Sequence, residues 1–364
     1  MSTNFVEVVQ IDYVKPHPNA DRLDIAIIRG ATVAVQKGKY VRGDKVIYFP
    51  PDMLIPESHA NSLGVTPYLK HCTFPGDIRA TQCRVGAARL RGQPSFGFVA
   101  SFEEAFGEDH ADLAWASLKL GQNVNDYFGA MKYEPPVKLG PGDSTREHPL
   151  FHRYTSIENF HRYPNAIPDG TPVRITEKIH GTNSRVGLIR EGDEWTFVAG
   201  SHRVQRKKPE EGQRSIYWEP LEKENVLNLL SHLCDEQHNV VVFGEIFGPG
   251  VQDMDYGREG HDYAVFDITV DGRYLDWHEL DEVCSYYGVP TVPLLYHGPF
   301  SKEMLAQCTD GCSLVGYHNG SFKGREGCVV TPLKETYYAP TGGRLILKSL
   351  SADYLARKDG QDNE

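Results

Sequence analysis

The chemistry-bearing residues of this chain gather at the ends of apolar strands in its second half, and the first of them is a lysine. It sits in Glu177-Lys178-Ile179-His180-Gly181-Thr182-Asn183. Thr171 to Thr176 read as a strand, Ser184 to Ile189 resume an extended, β-branched pattern, and Gly181 lets the backbone turn sharply between them. Lys178 is therefore expected at a strand end facing a cleft, where an amine can serve as a covalent nucleophile. A plain hairpin with a solvated lysine fits the same residues equally well, so the motif needs partners to be decided.

Candidate partners follow in order. Val240 to Phe247 is an apolar run interrupted by Glu245 and followed by Gly248-Pro249-Gly250. A carboxylate there is costly to bury unless a ribose hydroxyl, a metal or a base meets it. In Ala264-Val265-Phe266-Asp267-Ile268, strand alternation is expected to send Phe266 and Asp267 to opposite faces, one to stack on a ring and the other to anchor polar groups. Glu326 precedes a glycine at a strand start, and the apolar run Leu345-Ile346-Leu347 ends on Lys348. Ser201-His202-Arg203-Val204-Gln205-Arg206-Lys207-Lys208 is the best basic segment, suited to phosphates or simply to solvent. Taken singly, each has a purely structural reading as a solvated strand end or a core ring. Cys308 and Cys312 with His318 could form half a zinc site, but no second pair with ligand spacing follows.

The elements that must hold these residues divide the chain. Its 364 residues exceed the usual size of one core, and 40% hydrophobic residues can fill two. Phe5 to Val14, Leu23 to Arg29, Ala31 to Gln36 and Lys45 to Phe49 are candidate strands, with a further hairpin in Cys83 to Ser101. So many short strands without helical intervals indicate a small closed β-barrel. Lys132 to Pro136 and Gly140 to Asp143 form a Pro/Gly-rich connector. Beyond it, Leu221 to Glu236 has helical spacing, whereas Asn239 to Phe247, Asp262 to Val270, Glu326 to Thr331 and Arg344 to Lys348 look like strands. The expected fold class is α+β: a barrel over 1–128, a linker over 129–152, a domain of antiparallel sheets over 153–357 and a polar tail over 358–364. A net charge of −11 argues against coating nucleic acid by overall charge, so any such contact must be local. No apolar run spans a bilayer, and no basic-then-apolar leader opens the chain, so an intracellular, cytoplasmic location without membrane contact is expected. Seven irregularly spaced cysteines fit reduced thiols.

Read together, the residues carry a resemblance. A lysine followed in order by a basic segment, a strand glutamate, Phe-Asp, Glu-Gly and a strand lysine resembles the covalent nucleotidyltransferases, the superfamily of polynucleotide ligases and capping guanylyltransferases. Lys-Ile-His-Gly-Thr-Asn, where DNA ligases have Lys-x-Asp-Gly, is similar to the RNA ligase 2 branch. The likeness runs from Tyr154-Thr155-Ser156-Ile157-Glu158-Asn159 to Lys348. Pro16-His17-Pro18-Asn19-Ala20-Asp21-Arg22-Leu23 in turn resembles the loop of OB-type tRNA-binding domains. An OB domain in front of the catalytic domain is the order of certain RNA ligases; in DNA ligases and capping enzymes it follows.

The resemblance implies an ATP-dependent RNA ligase acting on RNA with 3′-hydroxyl and 5′-phosphate ends, nicked duplex among them, with Mg2+ or Mn2+. Lys178 would take AMP from ATP, Glu245 would hold the ribose, Phe266 would stack on adenine and Lys348 would contact the α-phosphate. Glu326 would hold a metal through its hydration shell, with Asp267 a lesser candidate. His180 would orient the pyrophosphate or a metal-bound water. Glu177, Ile179, Gly181, Asn183 and Arg203 complete the nucleotide-binding set, with Arg206 competing for the place of Arg203. One departure stands out: the branch ends in Lys-x-Lys, whereas Ile346 and Leu350 flank Lys348 at that spacing, leaving Lys334 or Arg344 to supply a second cation. A DNA ligase, a GTP-using capping enzyme and a noncatalytic RNA-binding protein are the alternatives.

Overall fold

The fold is that of a computed structural model, described for residues 4–72, 81–133, 143–316, 322–355 and 357. Residues 134–142 of the expected connector, His318 and the tail at 358–364 lie outside the described residues. What is described gathers into two compact units, one reaching Tyr133 and the other running from Asp143 to Tyr354.

In the first unit the expected strand over 5–14 breaks in two, because it serves two sheets. Glu7–Gln10 pairs with Lys45–Phe49, while Tyr13–Pro16 pairs with Leu23–Ile28, which pairs in turn with Ala31–Gln36. The later hairpin joins Ala87–Leu90 to Gln93–Phe96 through Arg91 and Gly92, both at positive φ, the backbone a tight two-residue turn demands. Val6, Val8, Ile47, Phe49 and Met53 fill one core, and Val9, Ile11, Ala26, Ile28 and Val33 another. Helices that the strand reading missed, Phe102–Phe106 and Glu108–Ser117 among them, add Phe102 and Ala111. Their signal was present: Ser101 and Glu104 make a reciprocal capping box at the first helix. The stretch expected as linker is also packed where it is described. Met131–Lys132 pairs with a strand of the first unit, and Phe151 is buried in the second. Pro and Gly mark turns, which need not be loose.

The second unit is built on two sheets. One runs in the order Glu158–Asn159, Leu347–Leu350, Gly327–Pro332, Pro172–Lys178, Leu294–Pro299, antiparallel except for its first pair. The other runs Gln205–Arg206, Glu194–Ser201, Thr182–Glu191, Val240–Phe247, Asp262–Val270, Arg273–Tyr274, antiparallel throughout. Alternation sorts their side chains. Val240, Val242 and Ile246 pack with the helices Glu224–Cys234 and Trp277–Tyr287, whereas Val241 and Phe243 meet Val329 of the first sheet and Ile346 just before its strand Leu347–Leu350. Val173, Ile175, Cys328 and Val330 face outward against the helix Lys302–Thr309. The even-numbered residues Arg174, Thr176 and Lys178 therefore point between the sheets.

This arrangement removes the hairpin reading of the lysine motif. Pro172–Lys178, the lysine strand, and Thr182–Glu191, the exit strand, belong to different sheets. The motif is a crossover. Gly181 serves it differently from the expectation of a sharp turn: it is not at positive φ, but a Cβ there would stand 2.2 Å from the carbonyl oxygen of Ile246 and 2.9 Å from Cγ of Glu245. Only a bare backbone can approach the Val240–Phe247 strand so closely. Gly181→Ala is expected to cost at least about 2 kcal/mol, through displacement of backbone rather than of a flexible side chain. Urea denaturation checks this, and a cost within about 0.5 kcal/mol would contradict the close approach.

Candidate active site

Lys178 ends its strand with the amine donating to Oε1 of Glu326 at 2.6 Å. Glu326 is 1% exposed, and among the described residues its Oε2 has no hydrogen-bond partner. Close packing fixes the carboxylate there: at the next residue, Gly327, a Cβ would lie 2.1 Å from the carbonyl of Ser349. His180 is buried beside this pair. Its Nε2 lies 2.6 Å from Oδ1 of Asp253, its Nδ1 3.1 Å from the Tyr354 hydroxyl, and its backbone N–H donates to the Tyr256 hydroxyl at 2.6 Å. Burial opposes a charge on this imidazole. The hydrogen bond to Asp253 and the adjacent Glu326 carboxylate outweigh burial and raise it to about 9.

Glu245 enters from the neighbouring strand and accepts the Gly181 N–H at 3.1 Å. Burial is the main force raising its carboxyl to about 8; Lys178 opposes the rise and Glu326 adds to it. Asn183 stands opposite Glu245 in the strand register, with its Oδ1 buried and lacking a hydrogen-bond partner among the described residues. Lys348 is 4% exposed, paired in register with Val329 and Asn159, and shares the inter-sheet face with Val329. The structure thus brings Lys178, His180, Gly181, Asn183, Glu245, Glu326 and Lys348 to the adjoining strand ends of one unit.

Phe266 and Asp267 depart from alternation. Phe243 pairs with Asp267 and Gly244 with Val265, so Phe266 is the extra residue of a β-bulge. Val265 and Ile268 both pack against the helices, which turns Phe266 and Asp267 together toward the other sheet. Tyr154 touches both, edge-on to the Phe266 ring at 4.9 Å and through its hydroxyl to Asp267. Asp267 has no oxygen to spare for a metal. Arg174 donates to Oδ1 at 3.1 Å and Arg344 to Oδ2 at 2.9 Å, and although burial works against the charge, these arginines hold the carboxyl below its usual range. Arg344 also bonds both oxygens of Glu335 at 2.8 and 2.7 Å and lies 3.6 Å over the Tyr274 ring. It is therefore committed, and cannot serve as the second cation beside Lys348. Lys334 is exposed.

The remaining expected residues divide. Ile179 is core, 3% exposed. Glu177 lies on the face opposite Lys178, where Ser313 Oγ donates to it at 2.5 Å and the Leu314 N–H at 2.7 Å, so its carboxylate braces the 313–314 segment. Arg206 is buried, bonded to Asp143 at 3.2 Å and stacked 4.8 Å over Tyr217, whereas Arg203 occupies the half-buried turn before it. Cys308 is buried and Cys312 exposed; both are free thiols. Sequence reasoning missed Tyr154 as a functional partner, and missed Asp253, Tyr256 and Tyr354 outright. Among the described residues no three His, Cys, Asp or Glu side chains are grouped to hold a metal ion. A metal at Glu326 would need water or phosphate oxygens to complete its shell, as Mg2+ commonly does.

A family model described as RNA ligase matches residues 171–350, the span that carries every one of these strand-end residues. This domain belongs to the RNA ligase family. An OB-fold domain model matches residues 5–102, so this ligase carries an OB fold in its first unit. Solved structures of Naegleria gruberi RNA ligase are similar over nearly the whole chain. One with PPi gives a TM-score of 0.74 at 23% identity, covering 98% of this chain and 99% of that one. A mutant with ATP and Mn gives 0.74 at 24%, and another with AMP and Mn 0.75 at 22%, each with the same coverage. At these identities the likeness is one of fold. Comparison with curated proteins found no sequence match. Among the described residues no helix of the ligase is long and apolar enough to cross a membrane.

Two expected outcomes follow from the buried charges. Asp267→Asn leaves Arg174 and Arg344 under-compensated and should lower the unfolding free energy by about 3–5 kcal/mol in denaturant titration; a loss below about 1 would contradict the pairing. The second concerns pH. His180, raised from 6.5 to about 9, contributes stability that is complete below 6.5 and is lost as pH rises through 9. Glu245, raised from 4.5 to about 8, keeps its proton in the fold while the unfolded carboxyl ionises, so it also lowers stability as pH climbs from 4.5 to 8. The ligand-free ligase should melt at lower temperature as pH rises from 6.5 to 8, and Glu245→Gln should flatten part of that slope. An unchanged slope in the variant would show that Glu245 is ionised in the fold.

Proposed function

We propose that this RNA ligase uses ATP to join RNA 3′-hydroxyl and 5′-phosphate ends through a covalent lysyl-AMP, as an intracellular RNA-repair enzyme. The observation that carries the reading is the Lys178 amine at 2.6 Å from a buried Glu326 whose other oxygen is unpartnered. An amine at a strand end, with Glu245, Glu326 and Lys348 around it, is the arrangement required to bind a nucleotide and attack it. That Naegleria gruberi RNA ligase has been solved with ATP and Mn, and with AMP and Mn, supports the choice of nucleotide and metal.

In the first step the Lys178 amine attacks the α-phosphorus of ATP; a P–N bond forms, the bond to the bridging oxygen breaks, and pyrophosphate leaves. The amine must be neutral to attack, so its proton has to go, and Glu326 is the group in contact to receive or release it. Lys348, from the adjoining strand, offsets negative charge on the α-phosphate. Glu245 holds the ribose, accepting from its hydroxyls as it now accepts from Gly181, and Phe266 stacks on the adenine. His180, held as an imidazolium, faces the departing pyrophosphate. Asn183 and Arg203 act on phosphates in the later steps. The free oxygen of Glu326 fits a hydrated Mg2+ or Mn2+, whose charge when bound would offset that of the phosphates. The RNA 5′-phosphate then takes AMP from Lys178, and the 3′-hydroxyl displaces AMP as the phosphodiester forms. The OB fold serves to hold RNA.

Incubation with labelled ATP or GTP and Mn2+ tests this directly. A covalent adduct from ATP, absent in Lys178→Ala, is expected, together with sealing of RNA rather than all-DNA nicks. An adduct from GTP alone would point to a capping enzyme, and no adduct with either nucleotide would overturn the mechanism.

A further inference from the structure

The site contains a buried hydroxyl to which the nucleotidyl-transfer mechanism gives no task. Tyr354, in the short helix Ala352–Leu355, is 0% exposed and packs edge-on against the His180 ring at 5.3 Å. Its hydroxyl lies 3.1 Å from Nδ1 of His180. The same nitrogen is 3.6 Å from Oε2 of Glu326, beyond hydrogen-bond length, and that oxygen is the one without a partner. The opposite nitrogen is held by Asp253 at 2.6 Å, and the backbone N–H by Tyr256. His180 is thus gripped at three points, and among the described residues only Tyr354 competes with Glu326 for Nδ1.

We propose that Tyr354 is a positioning residue: its hydroxyl occupies Nδ1 and holds the His180 ring off Glu326, keeping the second carboxylate oxygen of Glu326 open for the nucleotide step. Without the hydroxyl, the nearest acceptor for Nδ1 is Oε2 of Glu326. The ring needs to move only a few tenths of an ångström to bond it. A buried, unpartnered carboxylate oxygen is costly, so the two would pair and the open position would close. The catalytic meaning of this contact rests on the ligase mechanism proposed above, but the contact itself does not.

The test is Tyr354→Phe, which keeps the ring and removes the oxygen. In metal-free protein labelled with 15N-histidine, the Nδ1 resonance of His180 should shift relative to wild type at one fixed pH. In the adenylylation assay with ATP and Mn2+, the rate at saturating ATP should fall about tenfold, the equivalent of one hydrogen bond, while the KM for ATP stays the same and half-maximal rate needs more Mn2+. An unshifted Nδ1 with an unchanged rate would overturn the proposal, as would a change in KM alone. If the phenylalanine variant does not fold, 3-fluorotyrosine at position 354 alters the hydroxyl without altering the shape, and the same nitrogen shift is read. Absence of an adduct in wild-type protein would remove the ligase mechanism, whereas the nitrogen shift would still decide whether Tyr354 holds His180.

Discussion

The second unit depends on one buried carboxylate. Asp267 belongs to the six-stranded sheet, and the groups that neutralise it come from outside that sheet: Arg174 from the lysine strand, Arg344 from the segment leading into Leu347–Leu350, and Tyr154 from the segment before Glu158–Asn159. A charge so deeply buried tolerates few arrangements, because losing either arginine leaves a single cation to hold it. Its value is therefore one of register more than of net stability. Arg174 stands one even-numbered step after another before Lys178 on the same strand face, and Arg344 precedes Lys348 on a rigid run. Both amines of the site thus extend from segments anchored at the same carboxylate.

What the sequence marks by itself is local. The strands and their terminal residues were legible because apolar runs and turn signals are local. Lys178, Glu245 and Glu326 stand near the strand ends where that pattern put them, whereas the last strand begins at Leu347 and runs on through Lys348 to Leu350. The bulge at Phe266 was not legible: it arises from pairing with Phe243 and Gly244, and a single strand does not announce its partner. Alternation consequently misassigned the direction of Asp267, and with it the idea of a metal ligand. Asp253, Tyr256 and Tyr354 were missed for a related reason. They sit in turns and a terminal helix, where nothing periodic marks them, and only the folded chain brings them to His180.

The departure at Lys348 also takes on a physical form. Ile346 and Leu350, the two residues at the Lys-x-Lys spacing from Lys348, are 3% and 5% exposed, and Ile346 packs between the sheets with Phe243 and Phe151. A cation at that position would be buried among aromatic rings. The other nearby charge, Arg344, is spent on Asp267 and Glu335. Positive charge at the site is instead distributed over Lys178, Lys348 and the imidazole of His180, whose two flanking carboxylates favour its charged form.

The crossover at Gly181 limits how this site can move. The lysine strand and the exit strand lie in facing sheets, yet only Ile179, His180 and Gly181 separate Lys178 from Thr182. Four virtual bonds span at most about 14 Å, little more than the roughly 10 Å at which stacked sheets already lie. At the lysine the gap is therefore tethered by covalent chain. The nucleophile therefore sits where covalent chain leaves the two sheets the least freedom to separate.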